Sequence, residues 1–198
     1  MPRLLCSSSS PYSAKVRMAA AHLGYALDAV PVDTGAEPDD LIAANPLGKI
    51  PTLVTDAGEA VFDSRTIMRH IDRESGRSLY PRNARRAAEA EQLEALADGL
   101  CDCLLAHVME RRGRPADQVS QAWLDKQWRK ALRALDRLNA APPRLSGRPT
   151  AGHFALRAAI GYCDLRFAGQ WERGRAKLVG WRRRFDARHP ELAALAPH

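Results

Sequence analysis

The pattern of apolar and polar positions changes character about eighty residues into the chain. Before that point, short apolar runs alternate with helical stretches. Leu4-Leu5-Cys6 reads as a brief buried strand. Pro11–Leu23 repeats at helical spacing and stops at Gly24, a natural residue for the left-handed turn that ends a helix. Leu27–Val32 predicts a second strand, and Asp39–Ala44 predicts a short helix. Thr52-Leu53-Val54 and Ala60-Val61-Phe62 predict two strands joined at Asp56-Ala57-Gly58. Asp63 or Ser64 then caps a helix running to Ser75. The order is β-α-β-α-β-β-α. The early alternation implies a parallel pair with crossovers, and the closing pair implies an antiparallel hairpin, so four strands and three helices form a small α/β domain.

From Ala84 onward the strand signals stop. Ala84–Arg112 is one long helical stretch, with Leu93, Leu96, Leu100, Leu104 and Val108 stepping by three or four, and Gly113-Arg114-Pro115 breaks it. Ser120–Asn139 predicts a second helix and Ala140–Pro149 a loop. Thr150 opens a third helix to Phe167, Lys177–Arg188 is a fourth, and a segment at Pro190 closes the chain. The linker falls at Leu79–Asn83, where Tyr80-Pro81 breaks the pattern. The expected organisation is an α/β domain over residues 1–78, a linker over 79–83 and an all-α domain over 84–198.

Composition narrows the function classes. With 45% hydrophobic and 27% charged residues the chain has a globular balance, and no apolar run approaches the ~20 residues that would span a bilayer. The apolar stretch in MPRLLCSSSS is too short for a signal peptide, so a cytoplasmic location is expected. Cys6, Cys101, Cys103 and Cys163 suggest no disulfide framework. Cys101 and Cys103 would point about 200° apart on a helix and read as packing residues. The six histidines show no metal spacing. The net charge of +7 permits nucleic-acid binding. The arginines of Arg85-Arg86, Arg111-Arg112 and Arg182-Arg183-Arg184 carry no interleaved aromatics and no zinc or RNA-binding signature. They read as solvated helix faces, with attraction of anionic substrates left open.

Three constellations could carry chemistry, and each has a plain structural reading beside the functional one. In Ser7-Ser8-Ser9-Ser10-Pro11-Tyr12, Pro11 suits the first helical position and Ser10 the N-cap. The same helix end attracts anions, including thiolates, and a hydroxyl there could donate to a bound sulfur. In Asn45-Pro46-Leu47-Gly48-Lys49-Ile50-Pro51-Thr52-Leu53, Pro51 reads as a tight entry into a strand. It equally reads as a cis bond that turns the Ile50 main chain outward, where an extended peptide could pair as an added strand. Asp63-Ser64 is a simple helix cap, or a site where Ser64 holds a carboxylate and Asp63 faces an ammonium.

The order and spacing of these three motifs, followed by a Leu-rich all-helical half, resemble the cytosolic glutathione transferases over nearly the whole chain. The resemblance implies a thioredoxin-like N-terminal domain and a helical substrate-binding domain. It implies Ser10 as the catalytic hydroxyl of a serine-type enzyme, with Tyr12 a lesser rival and Ser7 to Ser9 leaving the assignment open by a residue or more. Ile50 beside a cis Pro51 would pair with the cysteinyl backbone of glutathione. Lys49 would meet the glycyl carboxylate, and Asp63 and Ser64 would hold the γ-glutamyl group. The implied activity is conjugation of glutathione, as co-substrate and without a metal, to a small electrophile in detoxification. Glutathione-dependent isomerisation, dehalogenation or ether cleavage is the alternative within enzymes, and a non-catalytic binding or regulatory module is the alternative outside them. A homodimer is implied, with no membrane and no nucleic-acid partner. Leu100, Leu104, His107 and Arg111 would face the electrophile cleft or else be core or subunit contacts. His153 stands where relatives carry a capping aspartate, so the reciprocal contact at Thr150 is expected to be lost.

Overall fold

Leu4 and Leu5 are almost wholly shielded from solvent, and the strand that carries them is the spine of the N-terminal domain. The computed structural model describes residues 1–76 and 78–198. Strand β1 (Arg3–Cys6) pairs in parallel with β2 (Asp28–Pro31) and antiparallel with β3 (Thr52–Val54), which pairs antiparallel with β4 (Ala60–Val61). The spatial order is β2-β1-β3-β4. Helices α1 (Pro11–Leu23), α2 (Asp39–Ala44) and α3 (Ser64–Glu74) complete the thioredoxin-like domain expected from the sequence. Helix α1 ends as its glycine predicts: Gly24 has φ +66°, and its N–H reaches the carbonyls of Ala20 and Ala21. Strand β2 is one residue shorter at each end than the apolar run suggested. It is an edge strand, where Pro31 is tolerated.

The helical domain follows as α4 (Ala84–Arg112), α5 (Gln121–Ala140), α6 (Ala151–Phe167), α7 (Ala176–Arg188) and the short α8 (Pro190–Ala193). The sequence pattern did not resolve α8, or the 3-10 turns at Thr34–Ala36 and Ala116–Gln118. Helix α6 is the axis: thirteen of its seventeen residues are buried, and it packs against both α4 and α1. Gly152 makes the α4 contact possible. A Cβ there would lie 2.7 Å from the Ala90 carbonyl oxygen and from Leu93 Cβ, closer than van der Waals contact allows.

The start of α6 departs from expectation. The reciprocal contact at Thr150 is kept, because an imidazole does the work of a carboxylate. The Thr150 N–H donates to His153 Nδ1 at 3.1 Å, and Thr150 Oγ1 lies 2.8 Å from the same nitrogen. His153 Nε2 is 2.9 Å from the Arg144 carbonyl, so Nε2 carries the proton and Nδ1 accepts. Burial and the nearby His189 hold this imidazole below the usual histidine range.

Where the two domains meet, the seam is polar and largely buried. Lys15 of α1 is 1% exposed, and its Nζ donates to Asp98 of α4 at 2.8 and 2.9 Å and to Glu94 at 3.3 Å. Tyr80 in the linker donates to the other Glu94 oxygen at 2.8 Å. Arg65 Nε of α3 donates to Asp98 Oδ2 at 2.8 Å. A lone buried ammonium is strongly disfavoured, and two carboxylates with a full set of hydrogen bonds make this one tolerable.

Candidate functional site

Strand register brings the three sequence constellations to one edge of the sheet. Leu5 faces Thr52, so one step further sets Cys6 beside Pro51. Leu53 faces Val61, so two steps further set Asp63 beside Pro51. The Ser7–Ser10 loop leaves β1 at this edge, the Lys49–Pro51 turn enters β3 at it, and α3 starts from it.

Ser10 is the N-cap of α1. Its backbone is extended, and its Oγ accepts from the Ser13 N–H at 3.2 Å. Pro11 has no N–H to offer, and the N–H of Tyr12 has no protein acceptor among the described residues. The helix therefore presents a half-exposed hydroxyl, a spare donor and its positive end at one point. Of the four serines Ser10 holds this position, whereas Ser8 exchanges hydrogen bonds with His198. The Tyr12 hydroxyl donates to the Asp102 carboxylate on α4.

The Ile50–Pro51 bond is cis, one of the two readings the sequence allowed, and a second cis bond joins Phe62 to Asp63. Neither the N–H nor the C=O of Ile50 has a protein partner among the described residues. Asn45 shapes this turn, a role the sequence reading did not assign. Buried, it donates to the Lys49 carbonyl at 2.9 Å and to Thr52 Oγ1 at 3.2 Å, and it accepts from the Leu47 N–H at 3.1 Å. An Asx turn ahead of Pro-Leu-Gly was the available signal. Gly48 has φ +60°, and a Cβ there would meet Ile42 at 3.1 Å. Lys49 is exposed, and no ion pair holds its ammonium among the described residues.

Asp63 is the N-cap of α3. Its Oδ1 accepts from the N–H groups of Arg65 at 3.0 Å and Thr66 at 3.4 Å, leaving Oδ2 without a protein partner among the described residues. Ser64 follows as the first helical residue and is buried. Two helix N-termini, each opened by an oxygen-bearing side chain, thus flank the free main chain of Ile50.

The other groups singled out from the sequence are buried or lie elsewhere. Burial pushes the thiols of Cys6, Cys101, Cys103 and Cys163 above the usual range, which fits the packing reading of Cys101 and Cys103. Leu100 and Leu104 are core, and Arg111 is exposed. His107 packs against Trp128 of α5 and Phe167 of α6, at 6.3 and 5.3 Å between ring centres, and so points into the helical domain. Among the described residues, no group of three or more His, Cys, Asp or Glu side chains forms a metal site, and no helix is long and apolar enough to cross a membrane.

Comparison with known proteins gives the family. The family profile described as Glutathione S-transferase, N-terminal domain, matches residues 4–79. The GST-like protein YibF of Escherichia coli K12 is 36% identical over 140 residues, covering 68% of this chain and 69% of that protein. The chain belongs to the glutathione S-transferase family. Among solved family structures, the glutathione S-transferase of Methylobacillus flagellatus KT with glutathione bound is 31% identical, covers 100% of both chains and superposes with a TM-score of 0.91. A Pseudomonas fluorescens Pf-5 member with bound glutathione gives the same identity, coverage and score. The Methylobacterium radiotolerans enzyme in complex with glutathione sulfonate is 28% identical, with a TM-score of 0.91 over 100% of this chain and 95% of that one.

Proposed function

We propose that the chain binds glutathione along this sheet edge and conjugates its thiolate to a small electrophilic molecule. The observation that carries the reading is the convergence on one row of two helix N-termini, at Ser10 and at Asp63-Ser64, around the unpaired main chain of Ile50. Glutathione is an extended tripeptide with two carboxylates, one ammonium and one thiol, and each finds a complement. Ile50 pairs with the cysteinyl backbone beside cis Pro51, as an added strand would. Ser64 and the free N–H at the head of α3 take the γ-glutamyl carboxylate, and the open oxygen of Asp63 meets its ammonium. Lys49 meets the glycyl carboxylate.

Ser10 is assigned to the sulfur. A free thiol has a pKa of about 8.5, and lowering it by two units requires about 2.7 kcal/mol in favour of the thiolate. One hydrogen bond to a charged group supplies roughly 1.5–3 kcal/mol, and a helix N-terminus up to about 2 kcal/mol. The thiol proton leaves to solvent. The sulfur lone pair forms a C–S bond, and the displaced group departs with its bonding electrons. Binding supplies the proximity.

The same reading takes the chain as a cytoplasmic detoxifying enzyme, in keeping with four free cysteines. It divides the chain into residues 1–78, 79–83 and 84–198, in keeping with the start of α4 after Asn83. It also takes the protein as a homodimer that sets one subunit's glutathione domain against the other's helical domain. Large apolar side chains are exposed on both: Ile42 and Leu47 on the first, Met109 and Trp123 on the second.

Calorimetric titration with glutathione tests the site. Binding in the micromolar to low-millimolar range, weakened in Ser64→Ala, is the expected result. No binding several times above that range would overturn it in favour of an interaction module.

A further inference from the structure

Three of the arginines that read as solvated helix faces in the sequence, Arg85, Arg86 and Arg184, come together in space with four further cations. Arg85 and Arg86 lie in the first turn of α4, and Arg144 and Arg148 lie in the loop between α5 and α6. Together they line one cleft of about 1030 Å³, whose wall also includes Ser78 and the linker residue Pro81. A second cleft of about 490 Å³ shares Pro142, Pro143, Arg144 and Ser146 with the first, and adds Lys177, Arg184 and Arg188 from α7. Neither is lined by Ser10, Ile50 or Ser64.

The charge balance of this region differs from that of the rest of the chain. Seven cations line the two clefts, and the one carboxylate among the lining residues, Glu89, is taken by Arg85 at 3.1 Å. The whole chain has a net charge of +7, so this surface alone carries six of the seven excess positive charges. Among the described residues, Arg86, Arg144, Arg148, Lys177 and Arg184 form no ion pair, whereas Arg157, Arg175 and Arg182 elsewhere in the helical domain each hold an aspartate. Like charges gathered in a concavity repel one another and raise the local potential, and an anion relieves both. His153 lines the wall but adds no charge, because its Nδ1 accepts from Thr150.

The chemistry of the wall selects among anions. Six of the seven cations are arginines, whose planar forks match phosphate and carboxylate oxygens two at a time. Ser78 and Ser146 add hydroxyls, and the 29-residue helix α4 begins at the same wall. Trp181, the aromatic residue of the smaller cleft, is wholly buried and offers no face on which a nucleobase could stack. The volume of the larger cleft suits a small molecule. We propose that these adjoining clefts form a second binding site, separate from the glutathione edge, for a compact anion bearing several phosphate groups.

The test uses the intact protein and sodium tripolyphosphate as probe. Calorimetric affinity is measured at about 50 and about 200 mM salt. Variants are the double substitution Arg86→Ala with Arg148→Ala, and Arg129→Ala on the exposed face of α5 as control. Tripolyphosphate is expected to bind and to weaken at the higher salt. Affinity should fall roughly tenfold or more in the double variant and stay within about twofold in the control. Inorganic monophosphate should bind far more weakly, and the glutathione affinity of the double variant should match that of the parent. Absence of binding, or equal loss in the control, overturns the proposal. So does tighter binding of a duplex oligonucleotide than of tripolyphosphate, which would make the surface a nucleic-acid track.

Discussion

Helix α4 meets charge in two places, and it treats charge oppositely in each. At its middle, Glu94 and Asp98 are buried and fully engaged with Lys15, Arg65 and Tyr80. In its first turn, Arg85 and Arg86 face an open cleft with a single carboxylate to share. The buried seam balances its charges within the protein because solvent is largely kept from them. The open cleft leaves charges unbalanced because solvent screens them at small cost. An ion network is therefore informative about stability where it is buried, and about ligands where it is open and one-sided.

The largest effect is expected at the seam. Lys15→Met leaves two carboxylates facing an apolar group, and a loss of about 3–5 kcal/mol in urea unfolding is expected. Adding Glu94→Gln to that variant should restore part of the loss, since the acid left without a cation is neutralised while Asp98 keeps Arg65. A double variant no better than the single would deny that the acids are what Lys15 neutralises.

Ser10→Ala touches a helix end rather than the seam. Turnover is expected to fall about 10–100-fold, the worth of one hydrogen bond to a charged sulfur, while glutathione affinity changes far less. The ultraviolet thiolate signal of bound glutathione should shift to higher pH. Equal losses in kcat and affinity would leave Ser10 a binding residue only.

His153 is a neutral group that the fold requires to stay neutral. Its folded pKa is depressed, so its contribution is complete above the unfolded value of about 6.5 and is lost as pH falls through the folded value. Urea midpoints should drop as the pH falls below about 6.5. His153→Ala should lower stability by about 1 kcal/mol at neutral pH and flatten that slope. The slope will not vanish, because burial and the neighbouring His189 depress His22 as well.

The smallest effect belongs to the open cleft. Arg85→Ala breaks an exposed pair one turn apart on α4, and the change in unfolding free energy should stay within about 0.5 kcal/mol. A loss comparable to that of Lys15→Met would erase the distinction between seam and cleft.

Much of the architecture was readable residue by residue, because its signals are local. Gly24 ends α1 with its own backbone conformation, Asp63 caps α3 with its own oxygen, and the periodic leucines of α4 need only their neighbours three and four positions away. The three motifs at the sheet edge were legible for the same reason: each is a short run whose geometry is set by a proline, a cap or a turn. The Lys15 seam was not, since its partners lie 79 and 83 residues away and a lysine in a helical pattern looks solvated until that helix is packed. His153 was misread because a carboxylate was sought where any buried acceptor would serve. The basic clefts draw on α4, the loop after α5 and α7, segments whose charges are unremarkable one at a time. Backbone conformation and capping are decided by contacts within a few residues, so they are written along the chain. Pairing, burial and the summed field of many charges depend on distances that exist only once the helices have come together.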